Sequence, residues 1–500
     1  GRGRMTTYLG IDVGTTAVKT IVIDEDQTLL ASASVPHPIL SPVPGAREQE
    51  PDAWLAAVEQ SLAEIRQAAP DAYAGIAAIG LSGQMHSLVT LGADHRPLRN
   101  AILWNDGRGA PECAELTAAV PDIAEITGVI AMPGLSAGKV LWLKNHEPEV
   151  FARIAAVMLA KDYVRLWLTG EVVTDMSDAA GTQMFDERER RWSERVVAAV
   201  GLRMDQLPRL VEGTEVSGRL GAPIAERLGL KAGIPVAGGG ADGGTGAAGI
   251  GCVEPGSGFL SLGTAGVYVA AQDRYAPKPE TLIHDFAHCI PGRWYQMGAL
   301  LNGASCLAWA LKAFGESDTA AALAAVERDY RAPSPVIFLP YLTGERTPHN
   351  DPEAQGAFFG LEQGTSRTQM VQAVLEGVAY SLRDAQDCLD AAGAVVERPG
   401  FLGGGSKSRL WARIIATVLG RPLVRFRGAD LGPALGAARM AIIAATGASV
   451  TAVCTAPEEE ETIMPDAALV DAYAEKQAVF RALYKAERGV REARASTRAA

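Results

Sequence analysis

Two similar glycine–threonine segments, one in each half of the chain, constrain the fold more than any other sequence feature. The first, Asp12-Val13-Gly14-Thr15-Thr16, lies between two β-rich runs, Tyr8–Ile11 and Val18–Ile23, as expected for a hairpin with a polar tip. The segment Phe259–Val269 matches it at Gly14/Gly263, Thr15/Thr264 and Val18/Val267. A supersecondary unit that recurs in this way favours an internal duplication, with one glycine–threonine hairpin in each half.

The tip of the first hairpin carries the groups that a phosphate-and-metal site needs. It offers backbone N–H groups around Gly14, the hydroxyls of Thr15 and Thr16, the carboxylate of Asp12, and Lys19 nearby. An ordinary polar turn is the alternative for this tip taken alone. Two such hairpins that face each other across a cleft could hold the β- and γ-phosphates of one nucleotide between two domains.

A glycine-rich stretch surrounds a single carboxylate near the middle of the chain. From Pro235 to Gly251 the sequence reads PVAGGGADGGTGAAGIG, and Asp242 is the only charged side chain between Lys231 and Glu254. This density of glycine lets the backbone turn with positive φ and lets another molecule approach closely. Asp242 is therefore either a turn residue, which composition alone favours, or a positioned acid/base.

Three further strand-like runs end in polar or glycine-rich tips, where α/β proteins place ligand groups. Ile76–Leu81 leads into Ser82–His86, and Ala101–Trp104 leads into Asn105–Arg108. His86 and Trp104 could equally be core residues, and Asp106 with Arg108 could form a turn salt bridge. The third run, Phe401–Gly405, precedes a predicted helix over Ser408–Leu419, which is a nucleotide-binding signal of low specificity.

Composition narrows the class of protein. A chain of 500 residues that is 48% hydrophobic can form two or more cores, and a net charge of −12 argues against a general nucleic-acid binder. Six widely spaced cysteines without a C-x-x-C pair predict buried free thiols in a reducing cytoplasm. Without an 18-residue apolar run, no membrane span is expected. Residues 1–4 are interpreted as a cloning remnant, residues 486–500 as a frayed helix end, and the pair His284 and His288 as structural.

Longer motifs resemble the FGGY family of carbohydrate kinases, within the actin/Hsp70/sugar-kinase superfamily. Two segments carry the family resemblance: GLSAGKVLWLKNH (Gly134–His146) and GAFFGLEQGTSRTQMVQAVLE (Gly356–Glu376). The branch that acts on xylulose is the most similar, in SGQMHS (Ser82–Ser87), ILWNDGR (Ile102–Arg108), KDYVRLWLTGE (Lys161–Glu171), DMSDAAGT (Asp175–Thr182), LPYLTGERTPHN (Leu339–Asn350) and GADLGPALGAA (Gly428–Ala438). The resemblance extends from Met5 to about Lys485.

The resemblance implies an α/β fold with two RNase H-like (actin-like ATPase) domains and a ligand cleft between them. Residues 5–247 would form the sugar-binding domain and residues 248–485 the nucleotide-binding domain. Roles carried over from the family motifs are Asp242 as general base; Met85 and His86 as sugar contacts; Trp104 and Asp106 as pocket walls; Asp12 near Mg²⁺; Gly14, Thr15, Thr16 and Lys19 at the first phosphate loop; Gly263 and Thr264 at the second; and Gly404, Gly405 and Ser406 at the adenosine.

The activity that this resemblance implies is transfer of a phosphoryl group from ATP, with Mg²⁺, to the C5 hydroxyl of D-xylulose. The expected partners are ATP and a small sugar, without nucleic acid or membrane. The sequence leaves the oligomeric state open, with a homodimer as one possibility because dimers are common among relatives. One departure leaves the sugar open: the catalytic Asp of this branch is generally followed by Asn, and this chain has Gly243. The alternatives are a kinase for ribulose or an erythritol-like polyol, and an ATP-switched binding protein of the actin/Hsp70 type.

The implied mechanism predicts one distance and one pKa. Asp12 and Asp242 should face each other across roughly 4–9 Å in one cleft, with Met85 and His86 on the Asp242 side and Gly404 and Gly405 farther out. Asp242 should show no strong upward pKa shift once Mg²⁺ is bound, because a general base must be ionised.

Overall fold

The computed structural model describes residues 4–500 and contains two seven-stranded mixed sheets, one in each half of the chain. Residues 1–3, which belong to the predicted cloning remnant, lie outside the described residues. The first sheet consists of β1 (Thr7–Val13), β2 (Ala17–Asp24), β3 (Leu29–Pro36), β4 (Ile76–Gly83), β5 (Val216–Arg219), β6 (Pro235–Ala237) and β7 (Gly240–Ala241). The second consists of β8 (Gly258–Leu262), β9 (Gly266–Gln272), β10 (His284–Ala287), β11 (Trp294–Leu300), β12 (Gly400–Leu402), β13 (Leu423–Phe426) and β14 (Glu459–Ile463).

Helices surround these sheets. Those of eight or more residues are α1 (Pro51–Ala68), α2 (Ala110–Ala119), α3 (Ser136–His146), α4 (Ala160–Thr169), α5 (Asp242–Gly249), α6 (Ser305–Ala313), α7 (Thr319–Arg328), α8 (Arg367–Ala391), α9 (Arg409–Leu419), α10 (Gly432–Thr446) and α11 (Val470–Ala499). Shorter α-helices are Pro70–Ala74, Ile123–Thr127, Pro148–Ala152, Met176–Ala180, Glu194–Ala199, Ala222–Leu228 and Val450–Val453. Single 3₁₀ turns are Met204–Gln206, Pro279–Thr281, Gly404–Lys407 and Ala429–Leu431.

Small two-stranded sheets complete the fold. They pair Glu48–Gln49 with Ala101–Ile102, Val89–Leu91 with Ala156–Met158, Val173–Asp175 with Arg209–Val211, Phe185–Asp186 with Arg191–Trp192, and Ile337–Leu339 with Ala357–Phe359.

The two large sheets share one central plan, which confirms the predicted glycine–threonine hairpin in each half. In the first sheet β1 and β2 pair antiparallel, and β4 lies parallel to β1. In the second, β8 and β9 form the corresponding hairpin, and β12 lies parallel to β8. β1 is buried along almost its whole length, as expected for a central strand with helices on both faces.

Helix α1 shows how the sequence pattern produces the packing. Pro51 is pre-organised for the first helical position, and Trp54, Val58, Leu62 and Ile65 recur at helical spacing. These four side chains are buried and belong to the same core as the strands of the first sheet. The predicted helix over Pro51–Gln67 is therefore confirmed, one residue longer at its carboxyl end.

Helix α10 comes from the second half of the chain but packs against the first sheet. A Cβ atom at Gly10 would lie 2.2 Å from the carbonyl oxygen of Ala434, and one at Gly80 only 1.7 Å from that of Ala437. The backbones of β1 and β4 can approach α10 this closely only because glycine stands at both positions. The proposed domain boundary at residues 247/248 assigns α10 to the domain whose sheet it does not cover.

The carboxyl-terminal segment is helical, and the cysteines are free thiols. Residues 486–500, predicted to be a frayed helix end, continue α11 as far as Ala499, and Arg491 pairs with Asp351 at 2.6 Å. All six cysteines are free thiols; five are buried and Cys388 is half-buried. Among residues 4–500, no helix combines the length and apolar character needed to cross a bilayer.

Candidate active site

Three chain segments bring Asp12, Ser82 and Asp242 to one edge of the first sheet. Asp12 is the penultimate residue of β1, and the parallel register places it opposite Ser82 of β4. β7 pairs with the same end of β4, and Asp242 follows β7 directly as the first residue of α5. Residues that are far apart in sequence therefore meet where strands end, which is where α/β sheets present ligand groups.

Two buried hydroxyl groups connect these segments. Ser82 Oγ donates to Asp12 Oδ1 at 3.0 Å and lies 2.7 Å from Thr245 Oγ1. Thr245, one turn into α5, in turn donates to the carbonyl oxygen of Ala241 at 3.0 Å. Both hydroxyl-bearing residues are fully buried, so Ser82 and Thr245 fix α5 relative to Asp12. Sequence reasoning missed Thr245, because a threonine in a glycine-rich stretch is an ordinary turn residue.

A buried charged cluster holds the loop that leads to Asp242. Lys161 lies 2.8 Å from carboxylate oxygens of Asp162, Asp175 and Asp178, and all four side chains are buried. Neighbouring Arg165 donates to the carbonyl oxygens of Ala237 and Gly238, at 2.9 and 2.7 Å. The hydroxyl of Ser177 accepts from the N–H of Ala241 at 2.9 Å. The KDYVRLWLTGE and DMSDAAGT motifs therefore orient the start of α5.

The two carboxyl groups at the sheet edge are half-buried, and both have raised pKa values. Burial raises the pKa of Asp12 to about 6, although the Ser82 hydrogen bond and Lys19 act in the opposite direction. Burial, followed by repulsion from Asp12, raises the pKa of Asp242 to about 7. Asp12 therefore lies within electrostatic range of Asp242. The predicted 4–9 Å separation and the predicted pKa of Asp242 with Mg²⁺ bound remain predictions.

The donor set at Asp12 fits a hard divalent cation. Among residues 4–500 no hydrogen bond reaches Asp12 Oδ2, and the negative charge of Asp12, which raises the pKa of Asp242, also attracts a cation. Within that same range no group of three or more His, Cys, Asp or Glu side chains is placed to hold a metal. Mg²⁺ usually binds through one or two carboxylates with phosphate oxygens and water, which is the coordination that Asp12 can support.

The first predicted phosphate loop forms a tight turn at the cleft. The N–H of Gly14 donates to the carbonyl oxygen of Ala17 at 3.0 Å, which closes the β1–β2 hairpin. Thr16 is exposed at the tip, and Lys19 is exposed on β2 in register with Asp12. The hydroxyl and cationic groups that sequence analysis assigned to phosphate are therefore available to a ligand.

Trp104 lies against this loop. Its Nε1–H donates to Thr15 Oγ1 at 2.9 Å, and its side chain is 42% exposed. The alternative that Trp104 is a core residue is therefore wrong. Its position beside the phosphate loop is compatible with a pocket wall, which remains a prediction.

The second phosphate loop and the predicted adenosine loop are neighbours in the second sheet. The N–H of Ala304 donates to Gly263 O at 2.8 Å and that of Gly303 to Thr264 O at 3.0 Å, and Thr264 is exposed. Gly404 is open, because a Cβ there would meet no atom within 4 Å. Gly405 packs on Leu262 at the end of β8, and Ser406 donates to Gly403 O at 2.5 Å. The predicted adenosine loop therefore packs against the end of β8, directly before the second phosphate loop.

His86 has an unusual backbone and a defined protonation state. Its φ of 70° is left-handed, which a non-glycine side chain adopts at a cost and which is concentrated at functional sites. Nδ1 lies 2.7 Å from the carbonyl oxygen of Gly181, so Nδ1 must carry the proton. Burial lowers the His86 pKa to about 3, so the ring is neutral and Nε2 is an acceptor. Such an acceptor suits a sugar hydroxyl.

Asp106 is occupied by internal hydrogen bonds. Its carboxylate accepts from the N–H of Arg47 at 2.8 Å and from the backbone and side chain of Arg108 at 2.7–3.0 Å. Arg108 also pairs with Glu48 at 2.6 Å. The structure therefore shows the turn salt bridge that sequence analysis left open, and a contact of Asp106 with the sugar remains a prediction.

The two histidines of the 284–288 segment differ. His288 Nε2 lies 2.9 Å from the carbonyl oxygen of Cys252, which agrees with its structural interpretation. His284 is only 4% exposed, yet neither ring nitrogen has a hydrogen-bond partner among residues 4–500. The ring of Phe286 lies 5.3 Å from that of His284 and 6.2 Å from that of His86. Its burial on β10 is compatible with the structural interpretation, although its ring nitrogens are unpartnered within the described part of the chain, unlike Nε2 of His288.

Both halves of the chain match models of one family. Residues 7–249 match the N-terminal domain of the FGGY family of carbohydrate kinases, and residues 258–445 match its C-terminal domain. The chain is 43% identical to the xylulose kinase of Escherichia coli K12, over 96% of this chain and 98% of that protein. It is 42% identical to the xylulose kinase of Klebsiella pneumoniae, over 87% and 90%.

Solved structures show the same architecture. The crystal structure of a xyloylose kinase from Brucella ovis superposes with a TM-score of 0.94 at 45% identity and covers 97% of this chain and 100% of that one. Plasmodium falciparum glycerol kinase superposes with a TM-score of 0.88 at 20% identity, covering 97% and 98%, which shows the shared actin-like ATPase fold. With matching family models in both halves, the two-sheet fold and Asp12 and Asp242 at one edge, this chain belongs to the FGGY family of carbohydrate kinases.

Proposed function

We propose that this protein transfers the γ-phosphoryl group of ATP to the C5 hydroxyl of D-xylulose, which yields D-xylulose 5-phosphate. The observation that carries the chemistry is the pair Asp12 and Asp242, half-buried at one edge of the first sheet. The choice of xylulose rests on the relatives, which are xylulose kinases over nearly the full length of this chain.

Asp242 is the proposed general base. It begins α5 beside Met85, since a Cβ at Gly243 would lie 3.3 Å from Met85 Sδ. Its pKa of about 7 lies close to neutrality, where a general base combines ionisation with affinity for a proton. In this role Asp242 accepts the proton of the attacking hydroxyl as that oxygen bonds to the γ-phosphorus, and ADP leaves with the bridging oxygen and its electron pair.

The two glycine–threonine loops are the proposed phosphate site. Phosphoryl transfer needs little covalent help from protein, so positioning and charge stabilisation supply most of the rate enhancement. Gly14, Thr15, Thr16 and Lys19 would bind from the first half, and Gly263 and Thr264 from the second. Asp12 would hold Mg²⁺, which when bound supplies positive charge to the phosphate oxygens. Gly404, Gly405 and Ser406 would receive the adenosine.

The proposed sugar site lies on the opposite side of Asp242. His86 Nε2 can accept from a sugar hydroxyl, Met85 supplies apolar contact, and Trp104 closes the side next to Thr15. ATP and sugar are the proposed partners. A cytoplasmic location remains a prediction from the cysteines, and the oligomeric state stays open.

The decisive experiment measures ADP release by the purified protein with ATP and Mg²⁺, without sugar and with D-xylulose, D-ribulose, erythritol or glycerol. We expect the highest kcat/KM with D-xylulose and a slow rate without sugar. Asp242→Asn, tested in parallel, controls for contaminating kinases. A higher kcat/KM for D-ribulose or erythritol would change the assigned substrate, and ATP hydrolysis indifferent to sugar would support an ATP-switched binding protein.

A further inference from the structure

Tyr295 reaches the sugar side of the site from the opposite half of the chain. It lies on β11 of the second sheet, yet its hydroxyl is 3.7 Å from Met85 Sδ. A Cβ atom at Gly243 would lie 2.8 Å from the same hydroxyl oxygen. The hydroxyl therefore lies between the residue after the proposed base and one of the two proposed sugar contacts.

This hydroxyl is buried without a strong partner. Tyr295 is 1% exposed, and its single hydrogen bond among residues 4–500 goes to the Met85 thioether, which is a weak acceptor. Phe286 and His288 contact its ring edge-to-face, with centroids 6.3 and 5.8 Å away, so the orientation of the phenol is held by packing. A buried polar group that is aimed but poorly satisfied needs an explanation, and a bound ligand is the one that this position offers.

The position of the hydroxyl also explains Gly243. The resemblance to the xylulose-specific branch predicts asparagine after the catalytic aspartate, and this chain has no side chain there. The space that the first atom of such a side chain would need is taken by the Tyr295 hydroxyl, with its ring carbon Cζ 3.3 Å away. Both groups can donate and accept hydrogen bonds.

We propose that Tyr295 is a substrate-specificity residue whose hydroxyl binds a hydroxyl of the acceptor sugar in the place of an amide at residue 243. This inference rests on the proposed function, because it requires a polyhydroxylated acceptor beside Asp242. It also means that the sugar site is completed by a residue from the second half of the chain.

Tyr295→Phe tests the contact with minimal change in shape. One lost hydrogen bond to a neutral partner is worth about 0.5–1.5 kcal/mol, so we expect the KM for the sugar to rise roughly 2- to 12-fold. The KM for ATP and the melting temperature should stay unchanged. The matched control is Tyr268→Phe on β9, whose buried hydroxyl bonds Gln386 at 2.8 Å; it should lower the melting temperature and leave the KM for the sugar unchanged. A Tyr295→Phe enzyme with the parent's KM for the sugar would overturn the proposal.

Gly243→Asn, alone and combined with Tyr295→Phe, tests whether the Tyr295 hydroxyl and an amide at residue 243 would occupy the same space. Gly243→Asn alone should weaken sugar binding, because its Cβ collides with the tyrosine hydroxyl. Removing that hydroxyl in the double variant should restore part of the affinity. If the double variant binds sugar no better than Gly243→Asn alone, the Tyr295 hydroxyl does not take the place of an amide at residue 243.

Calorimetric titration separates this inference from the proposed function. D-xylulose and the other panel sugars are titrated into the parent and Tyr295→Phe without nucleotide. If the parent binds D-ribulose rather than D-xylulose and Tyr295→Phe weakens it, the assigned substrate is wrong and the role of Tyr295 stands. If D-xylulose binds both proteins equally, the role of Tyr295 is wrong and the proposed function stands. If no sugar binds, both are wrong.

Discussion

Gly436→Ala tests whether α10 holds the helix that carries the proposed base. A Cβ at residue 436 would lie 1.8 Å from the carbonyl oxygen of Thr245 and 2.5 Å from its carbonyl carbon, whereas ordinary contact begins at 3.4 Å. The carbonyl oxygen and carbon of Thr245 belong to the backbone of α5, so no side-chain rotation can relieve the overlap. Either α5 or α10 must shift, and Thr245 is only one turn from Asp242.

The size of the effect follows from that displacement. Overpacking costs about 1–3 kcal/mol of the free energy of unfolding. A misplacement of about 1 Å in a catalytic group can cost roughly 10²-fold in rate. We therefore expect Gly436→Ala to lower kcat about 10²-fold and to lower the midpoint of urea unfolding, although residue 436 contacts neither proposed substrate.

The measurement pairs steady-state ADP release with denaturant unfolding. The matched control is Gly489→Ala in α11, where an added Cβ meets no atom within 4 Å. Without a clash, the same change in a helix should stabilise by about 0.5–1 kcal/mol and leave kcat unchanged. If Gly436→Ala matched the parent in kcat and in unfolding midpoint, the close contact between α10 and α5 would be wrong.

Three further changes test the site and its electrostatics. Asp242→Asn should fold normally and lose about 10²–10⁴-fold in kcat with little change in the KM for ATP; a loss below about tenfold would remove Asp242 from the role of base. His86→Ala should raise the KM for the sugar more than it lowers kcat, whereas a variant that is chiefly unstable would support a core role. Burial lowers the pKa of His288 to about 4, so its stabilising contribution is present above the unfolded value near 6.5 and is lost as pH falls towards 4. Between pH 8 and pH 5 the His288 contribution to the free energy of unfolding falls by about 2 kcal/mol. On the same change of pH, His288→Gln should therefore lose about 2 kcal/mol less unfolding free energy than the parent. Equal losses in the two proteins would contradict the assignment.

The parts of the fold that could be predicted from sequence are those determined by residues close together in the chain. The β1–β2 and β8–β9 hairpins follow from apolar runs that end in Gly14 and Gly263, and α1 follows from Pro51 and apolar residues at helical spacing. The polar tip after β4 also marked Met85 and His86. In each case the residues that determine the element are neighbours in the sequence.

The parts that could not be predicted depend on contacts between distant segments. Nothing near Gly80 indicates that the carbonyl of Ala437 lies against it, and the small-residue pattern of α10 is typical of a helix without naming its partner. Tyr295 belongs to no motif, because a tyrosine in a strand is an ordinary core residue until its hydroxyl is found beside Gly243. Thr245 likewise acquires its role only through Ser82.

The distribution of these contacts between the halves has a consequence for water exclusion. Asp12, Ser82, Thr245 and Asp242 are joined within the first sheet and braced by α10, so the proposed base and metal ligand keep their relation whether or not the halves close. The sugar side is different, because His86 comes from the first half and Tyr295 from the second. An enzyme built in this way completes its acceptor pocket only when the halves meet around a sugar, and closure of that kind keeps water from accepting the phosphoryl group. In the proposed mechanism, the segments joined within the first sheet therefore perform the chemistry, and the contacts between the two halves select the acceptor.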